Sequence, residues 1–520
     1  MAKELCEGGA KVILLEGGPA VSPSQYLSHK WPYELPYRGL RREKQAPFYP
    51  AGMHRSIRYQ NCDQISLDRI RVLGGRTLHW NAVALRYAPR DFREWSLEGV
   101  EEDWPISYAE LAPHYERIEQ IIGVCGADDG LEILPAGKHY LPPLPWRCSE
   151  RILARATRRM GFPVISVRKA ALTVPYDNRP PCHYCGHCMD GCDVSSIFTT
   201  PDCMLPKARA TGNLTLRTNA LAREILVDGE GLARGVSFID TATRKEEEVR
   251  ARIVVVCCAA AESPRLLLNS LSPRYPNGLA NSNGVVGRYL NGHIQDQVYV
   301  YLDELAGGPP VNQDGATDHV YVPRYNQLLG RRDYAGGWGL QVNYGSYMFP
   351  FQAQSLPGYG AGFKERVRKM QPGVLMFGSW GKSMARPENY ITVDPHQTDQ
   401  YGIPVPVVHF RFGENDRALW RAAIESKLEI CSHLKGPAFP DYGSAPRGFA
   451  SHEMGTVRMG KNPKTSVLNA FCQSHEVKNL FVTDGSCFTT SSEKNPTLTI
   501  MALSLRAADY IKEQRRRGEL

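Results

Sequence analysis

The period of the hydrophobic positions changes along the chain, and each change marks a part of it. Residues 2–9 put Ala2, Leu5 and Cys6 on one helical face, and Gly8-Gly9 end the run. Lys11-Val12-Ile13-Leu14-Leu15-Glu16 does not alternate. A short apolar run bounded by Gly17-Gly18 predicts a strand buried on both faces, of the parallel kind, ending in an acid. Helical spacing returns from Ile106 to Ile122, with Ser107 placed as an N-cap, and a further helix is predicted over 149–160. Residues 214–218, 222–227, 233–238 and 243–247 are short strand-like runs separated by turns such as Asp228-Gly229. They predict an antiparallel meander lying on the parallel sheet. Residues 252–258 are again a continuous apolar strand, and Arg265-Leu266-Leu267-Leu268 opens a helix. The character shifts at 294–445, where aromatic-rich short strands and many glycines predict an antiparallel sheet, with a helix over 414–433 near its end.

These patterns predict an α/β protein. A Rossmann-like dinucleotide-binding domain is expected over 1–293 and 446–520, interleaved with an antiparallel substrate-binding domain over 294–445. At 520 residues the chain exceeds one ordinary core, which agrees with two domains. In a Rossmann unit the acid ending the second strand, here Glu16 beside Gly17, holds the hydroxyls of an adenosine ribose. The same fold needs an earlier strand and a Gly-x-Gly-x-x-Gly turn for the pyrophosphate. Met1 falls inside the first helix, so the expectation is a chain truncated at its N-terminus.

Composition narrows the function classes. The 62 Lys and Arg against 54 Asp and Glu give a net charge of +8, and no basic run lies beside aromatics, so nucleic-acid binding has no support. No apolar run approaches the length of a transmembrane helix. The first residues, Met1-Ala2-Lys3-Glu4, hold no signal-peptide apolar region. The chain as given reads as cytoplasmic, and as periplasmic if a leader preceded it.

Two stretches bear on chemistry. Gly74-Gly75-Arg76-Thr77-Leu78-His79-Trp80-Asn81 pairs glycines, which let backbone approach a flat ligand, with a His-Trp pair that can face a ring system or simply pack. Cys182, Cys185, Cys188 and Cys192 follow the spacing Cys-x2-Cys-x2-Cys-x3-Cys, with His187, Met189 and Asp190 between them. That spacing suits an iron–sulfur centre, of three or four irons, better than zinc; a Cys-rich loop that packs or forms disulfides is the alternative.

Taken in order, the chain resembles the glucose–methanol–choline family of flavin oxidoreductases, in particular its bacterial sugar and polyol dehydrogenases and its pyranose-oxidising branch. The residues carrying the resemblance are Val12 to Gly18, Gly74 to Asn81, Ala261 to Leu267, Gly284-Val285-Val286-Gly287-Arg288 with His293, His452-x-x-Gly455-Thr456-x-Arg458-Met459-Gly460, and Leu480 to Ser486 with Asn495-Pro496-Thr497-Leu498-Thr499. The resemblance implies FAD, with Glu16 and Gly17 on the ribose and Ala260 and Ser263 near the adenine. Gly75, Thr77, His79, Trp80 and Asn81 would face the flavin, and Asp484, Gly485, Pro496 and Thr497 would complete the cradle. It further implies oxidation of an alcohol group of a sugar, glycoside or polyol to a carbonyl by a dehydrogenase rather than an oxidase. His452 would be the base and Asn495 would hold the substrate oxygen. The implied electron acceptor is a cytochrome or quinone, and the resemblance also allows a small partner subunit beside the flavin chain. The missing phosphate turn leaves a competing expectation: a weakly FAD-binding or inactive remnant.

Overall fold

The computed structural model describes residues 1–26, 57–67, 70–186, 188, 191–309, 318–324, 330, 334–345, 353, 356–441, 443–448 and 452–520. Ser451, and His187, Met189 and Asp190 within the cysteine run, lie outside the described residues.

The N-terminal elements follow the hydrophobic pattern. Helix Ala2–Glu7 ends at Gly8 and leads into strand Val12–Leu15. Helix Tyr108–Ile122 is capped by Ser107, whose hydroxyl accepts the Glu110 N–H while the Glu110 carboxylate accepts the Ser107 N–H. This reciprocal box satisfies two donors that a helix start otherwise leaves open. Helix Cys148–Arg159 follows, and the helix after strand Val254–Val256 starts at Glu262, three residues ahead of the expected Arg265.

The meander is shorter than expected. Strand Leu214–Arg217 does not belong to it but pairs in parallel with Val12–Leu15. Its antiparallel members are Ala220–Val227, Ala233–Asp240 and Glu246–Arg250. The reason is the connection: helix Leu205–Ala210 enters strand 214–217, and a helical crossover delivers a strand parallel to its neighbour. A second parallel pair joins Val254–Val256 to Leu480–Val482. Among the described residues no strand connects these two pairs into one sheet.

The antiparallel part is larger. A seven-stranded sheet has the order Ala438–Asp441, His293–Tyr301, Val374–Lys382, Trp338–Gly345, Val320–Val322, Ile165–Ser166, with Arg447–Gly448 also on His293–Tyr301. It thus draws strands from both sides of 294–445. Helix Glu414–Ser432 covers one face through Leu419, Trp420, Ala423 and Ile430, which join Ile294, Val298, Val300 and Phe377 in one apolar cluster. A separate cluster, with Leu111, Tyr115, Leu480, Val482, Leu498 and Ala502, packs helices 108–122 and Thr497–Arg517 against the parallel elements. No helix among the described residues is long and apolar enough to cross a membrane.

Candidate active site

His452 sits where three backbone segments are laced together. Met454 exchanges both backbone hydrogen bonds with Asn291 (2.9 and 3.0 Å), Gly455 N–H donates to Gly485 O (3.1 Å), and Val457 N–H donates to Ser486 O (2.9 Å). Gly455 has φ +75°, and a Cβ there would lie 2.1 Å from Tyr289 O. The glycine two residues before Val457 is therefore a steric requirement of the lacing. Thr456 Oγ1 donates to Ala260 O at 2.7 Å, tying the same segment to the loop after strand 254–256.

The lacing brings His452 and Asn495 together across 43 positions: Asn495 Nδ2 lies 3.4 Å from His452 Nε2. Gln341 Nε2 donates to Asn495 Oδ1 at 2.6 Å, which turns the amide nitrogen toward the histidine. On its other side His452 Nδ1 is 2.9 Å from His293 Nδ1, and His293 Nε2 is 2.7 Å from Ser492 O. Trp380 flanks His452 with ring centroids 4.9 Å apart. Its indole N–H and Gln295 Nε2 are buried without a hydrogen-bond partner.

Burial dominates the electrostatics. It holds His293 down at about 4, and it holds His452 well below the usual imidazole range, with His293 and the Arg76 guanidinium acting in the same direction. Both imidazoles are neutral at pH 7. Arg76 comes from the Gly-Gly loop and donates to Glu453 Oε2 at 2.6 Å, so that loop is anchored to the residue beside His452.

Asn495 is held from below by a buried ion network. Lys494 Nζ donates to Asp91 Oδ2 (2.9 Å) and to Glu493 Oε1 (2.5 Å), and Arg324 reaches both carboxylates at 3.2 and 3.7 Å. Burial pushes the Glu493 carboxyl up, but Lys494 and Arg324 outweigh it and hold it at about 2. Nearby Lys382 pairs with Glu94 at 3.0 Å and with Glu101.

The expected cofactor residues fall into three groups. Asp484 is fully engaged: Ala259 N–H (3.1 Å) and Ser263 Oγ (2.5 Å) donate to Oδ2, and Ser486 N–H (2.7 Å) donates to Oδ1. It fastens the 259–263 loop to the 484–487 turn, with Gly485 packed so that a Cβ would lie 2.7 Å from Glu453 O. In the second group, Gly74 and Gly75 take positive φ, Thr77 Oγ1 donates to Gly74 O and accepts from Thr200 N–H, and Trp80 Nε1 donates to Phe198 O. Thr77 and Trp80 thus spend their polar groups on the loop and on the 198–200 segment behind it; His79 ends its short helical turn, and Asn81 Oδ1 is left buried without a partner. Third, Glu16 accepts Gly18 N–H at 2.9 Å, and burial raises its carboxyl to about 7. Gly17 lies against Leu221, while Pro496 and Thr497 start helix 497–517 directly behind Asn495.

The cysteine run goes elsewhere. Cys188 is buried in the core cluster with Leu111 and Leu480, and Cys192 packs against it. Cys182 Sγ accepts Tyr184 N–H at 3.4 Å, and Cys192 Sγ accepts Ile197 N–H at 3.5 Å. Among the described residues no three His, Cys, Asp or Glu side chains gather as metal ligands. Among the described residues the structure gives the iron–sulfur expectation no support.

Sequence reasoning did not assign roles to His293, Gln341, Ser492, Arg76 or the Asp91–Arg324–Glu493–Lys494 network. One signal was available: Glu493-Lys494 places two charges directly before Asn495, inside an otherwise uncharged stretch.

Comparison with known proteins identifies a family. The family model described as GMC oxidoreductase matches residues 6–295 and 385–504. The chain is 33% identical to 2-methyl-1,2-propanediol dehydrogenase of Mycolicibacterium austroafricanum, covering 98% of this chain and 92% of that protein. It is 27% identical to the fructose dehydrogenase large subunit of Gluconobacter japonicus, over 100% and 96% of the two chains. It is 28% identical to 6'''-hydroxyparomomycin C oxidase of Streptomyces lividus, over 84% and 78%. Among solved structures, pyridoxine 4-oxidase from Mesorbium loti superposes with a TM-score of 0.67 at 19% identity, over 98% of this chain and 96% of that one.

Proposed function

The chain belongs to the GMC oxidoreductase family, and from that premise we propose that it oxidises an alcohol carbon of a polyol, sugar or glycoside to a carbonyl, with His452 as base. One observation carries the proposal: His452 and Asn495 meet at 3.4 Å with the carboxamide oriented by Gln341. A neutral imidazole takes the hydroxyl proton, and the amide N–H steadies the oxygen as negative charge develops on it. Asn does not titrate near neutral pH, so His452 alone can be the base.

FAD fits the residues present. Glu16 would hold the adenosine ribose, the Gly74–Gly75 backbone and Asn81 would meet the ring, and Ser486, whose buried Oγ has no partner, would meet the chain joining them. When bound, FAD supplies the hydride acceptor. Asp484 has its oxygens taken by protein donors, so its part is to shape this cradle from behind. The names of the relatives support a diol or sugar-type substrate, and those with 33% and 27% identity favour a dehydrogenase. A cytochrome or quinone would then take the electrons, and a partner subunit is in keeping with the fructose dehydrogenase chain being named a large subunit.

The test is anaerobic reduction of bound flavin by a candidate diol or sugar. His452→Ala is expected to slow reduction by ~10³-fold or more while FAD stays bound. Reduction at the parent rate would sink the assignment.

A second reading, weak FAD binding by the chain as given, draws on the divided parallel sheet. Among the described residues no strand joins its halves.

A further inference from the structure

We propose that His293 is a positioning residue that sets the tautomer of His452: its Nδ1 accepts the His452 Nδ1 proton and so leaves the His452 Nε2 lone pair facing Asn495. The inference rests on His452 being the base and adds what makes it one.

The argument runs outward from a carbonyl. Ser492 O can only accept, so the 2.7 Å contact requires the proton on His293 Nε2. A neutral His293 then has a lone pair on Nδ1. The 2.9 Å contact between the two Nδ1 atoms needs one proton between them, and it must come from His452. Neutral His452 with a proton on Nδ1 has none on Nε2. The 3.4 Å contact agrees, because Gln341 occupies Asn495 Oδ1 and presents Asn495 N–H, a donor, to that nitrogen.

The opposite arrangement can be examined and fails. With the proton on His452 Nε2, both nitrogens of His293 must carry protons, one for Ser492 O and one for His452 Nδ1. That is an imidazolium on a fully buried residue. With burial holding His293 at about 4, only about one molecule in a thousand carries that charge at pH 7. The Asn495 amide would also have to reverse, and Gln341 with it.

The Ser492 carbonyl is itself fixed. It belongs to the Ser492-Glu493-Lys494 segment, whose two charged side chains are held by Asp91 and Arg324. His293 opens the strand that leads the seven-stranded sheet, and Gly292 N–H donates to Ser383 Oγ at 2.9 Å. The tautomer of the base is thereby set by rigid backbone, a way of preorganising proton transfer without a carboxylate.

Two substitutions separate this role from packing. His293→Asn puts Oδ1 where Nδ1 was, keeping an acceptor for His452 and losing the bond to Ser492. His293→Gln keeps the donor to Ser492 and loses the acceptor. In the flavin-loaded protein, His293→Gln is expected to slow anaerobic flavin reduction about 100-fold and His293→Asn less than about 10-fold, with substrate affinity within about threefold in both. A structural role predicts the reverse order, and Gln equal to or faster than Asn overturns the proposal. A second readout needs no turnover. Long-range 1H–15N correlation on protein labelled at histidine nitrogen, with the His452 signals assigned by their loss in His452→Ala, should show Nδ1 protonated and Nε2 bare. A protonated Nε2 overturns the proposal even where His452→Ala abolishes reduction; reduction at the parent rate in His452→Ala instead removes the base reading, whichever tautomer is seen.

Discussion

The seven-stranded antiparallel sheet and the divided parallel sheet meet at one site but are built to different standards. The first pairs His293–Tyr301 with Val374–Lys382 over nine successive positions, and its flank carries buried ion pairs. The second consists of two pairs, of four and three positions, with no described strand between them. Ladder hydrogen bonds and desolvated charges make the antiparallel side cooperative. The parallel side depends on loop contacts such as Asp484 to Ser263 and Arg76 to Glu453. Local stability follows such differences, so the catalytic pair should persist when the cofactor cradle opens.

The largest expected effect comes from attacking the stronger side. Lys494→Met removes a cation from between Asp91 and Glu493 and leaves two buried carboxylates to Arg324 alone. A loss of about 3–5 kcal/mol is expected in denaturant titration, together with slower turnover because Ser492 and Asn495 flank the lysine. A loss under ~1 kcal/mol would mean that the network does not brace the site.

The weaker side is sharpened by pH. Burial raises the Glu16 carboxyl from its ordinary 4.5 to about 7 in the cofactor-free protein. A carboxylate, not a carboxylic acid, accepts from both ribose hydroxyls. FAD affinity should therefore fall about tenfold for each pH unit below 7 and level off above it. Glu16→Gln should flatten that dependence at the weak limit. Affinity independent of pH in the parent protein would remove Glu16 from the cofactor site. The absolute affinity decides the second functional reading, since a dissociation constant well above micromolar at pH 8 means that the divided sheet limits loading.

The smallest effect belongs to the cysteine run. Cys182→Ser keeps an acceptor for Tyr184 N–H and should change stability by no more than ~0.5 kcal/mol and leave flavin reduction unaltered. A large loss of activity would restore a redox role for the thiols.

Much of this comparison was legible in the sequence. Val12–Leu15 announced itself as a parallel strand because it does not alternate, and Ser107 with Glu110 spelled out a capping box. His452, Gly455 and Asn495 were legible through the spacing of a known family. The partners of these residues were not. Leu214–Arg217 looks like its neighbours in the meander, and only the helix before it turns it parallel. Gln341 is 154 positions from Asn495, and His293 is 159 from His452. Nothing local distinguishes such a glutamine from a surface one, and His293, though part of the family pattern, gave no sign of its partner. Asp91, Arg324 and Lys382 were hidden for another reason: charged residues read as solvated unless their counter-charges are known, and these come from distant segments. The cysteine spacing finds no support among the described residues, because spacing along a chain limits, but does not dictate, where thiols point.

The divided sheet also bears on how the molecule behaves in a crowd. Among the described residues strand 12–15 pairs on one side only, with 214–217, and Ile13 is 46% exposed. Such an edge offers a row of backbone donors and acceptors to any extended peptide that passes, including one from a second copy. Self-association through it would draw on strand 12–15 while the histidine pair remained intact. Shelf life in solution would then be governed by protein concentration before it was governed by heat.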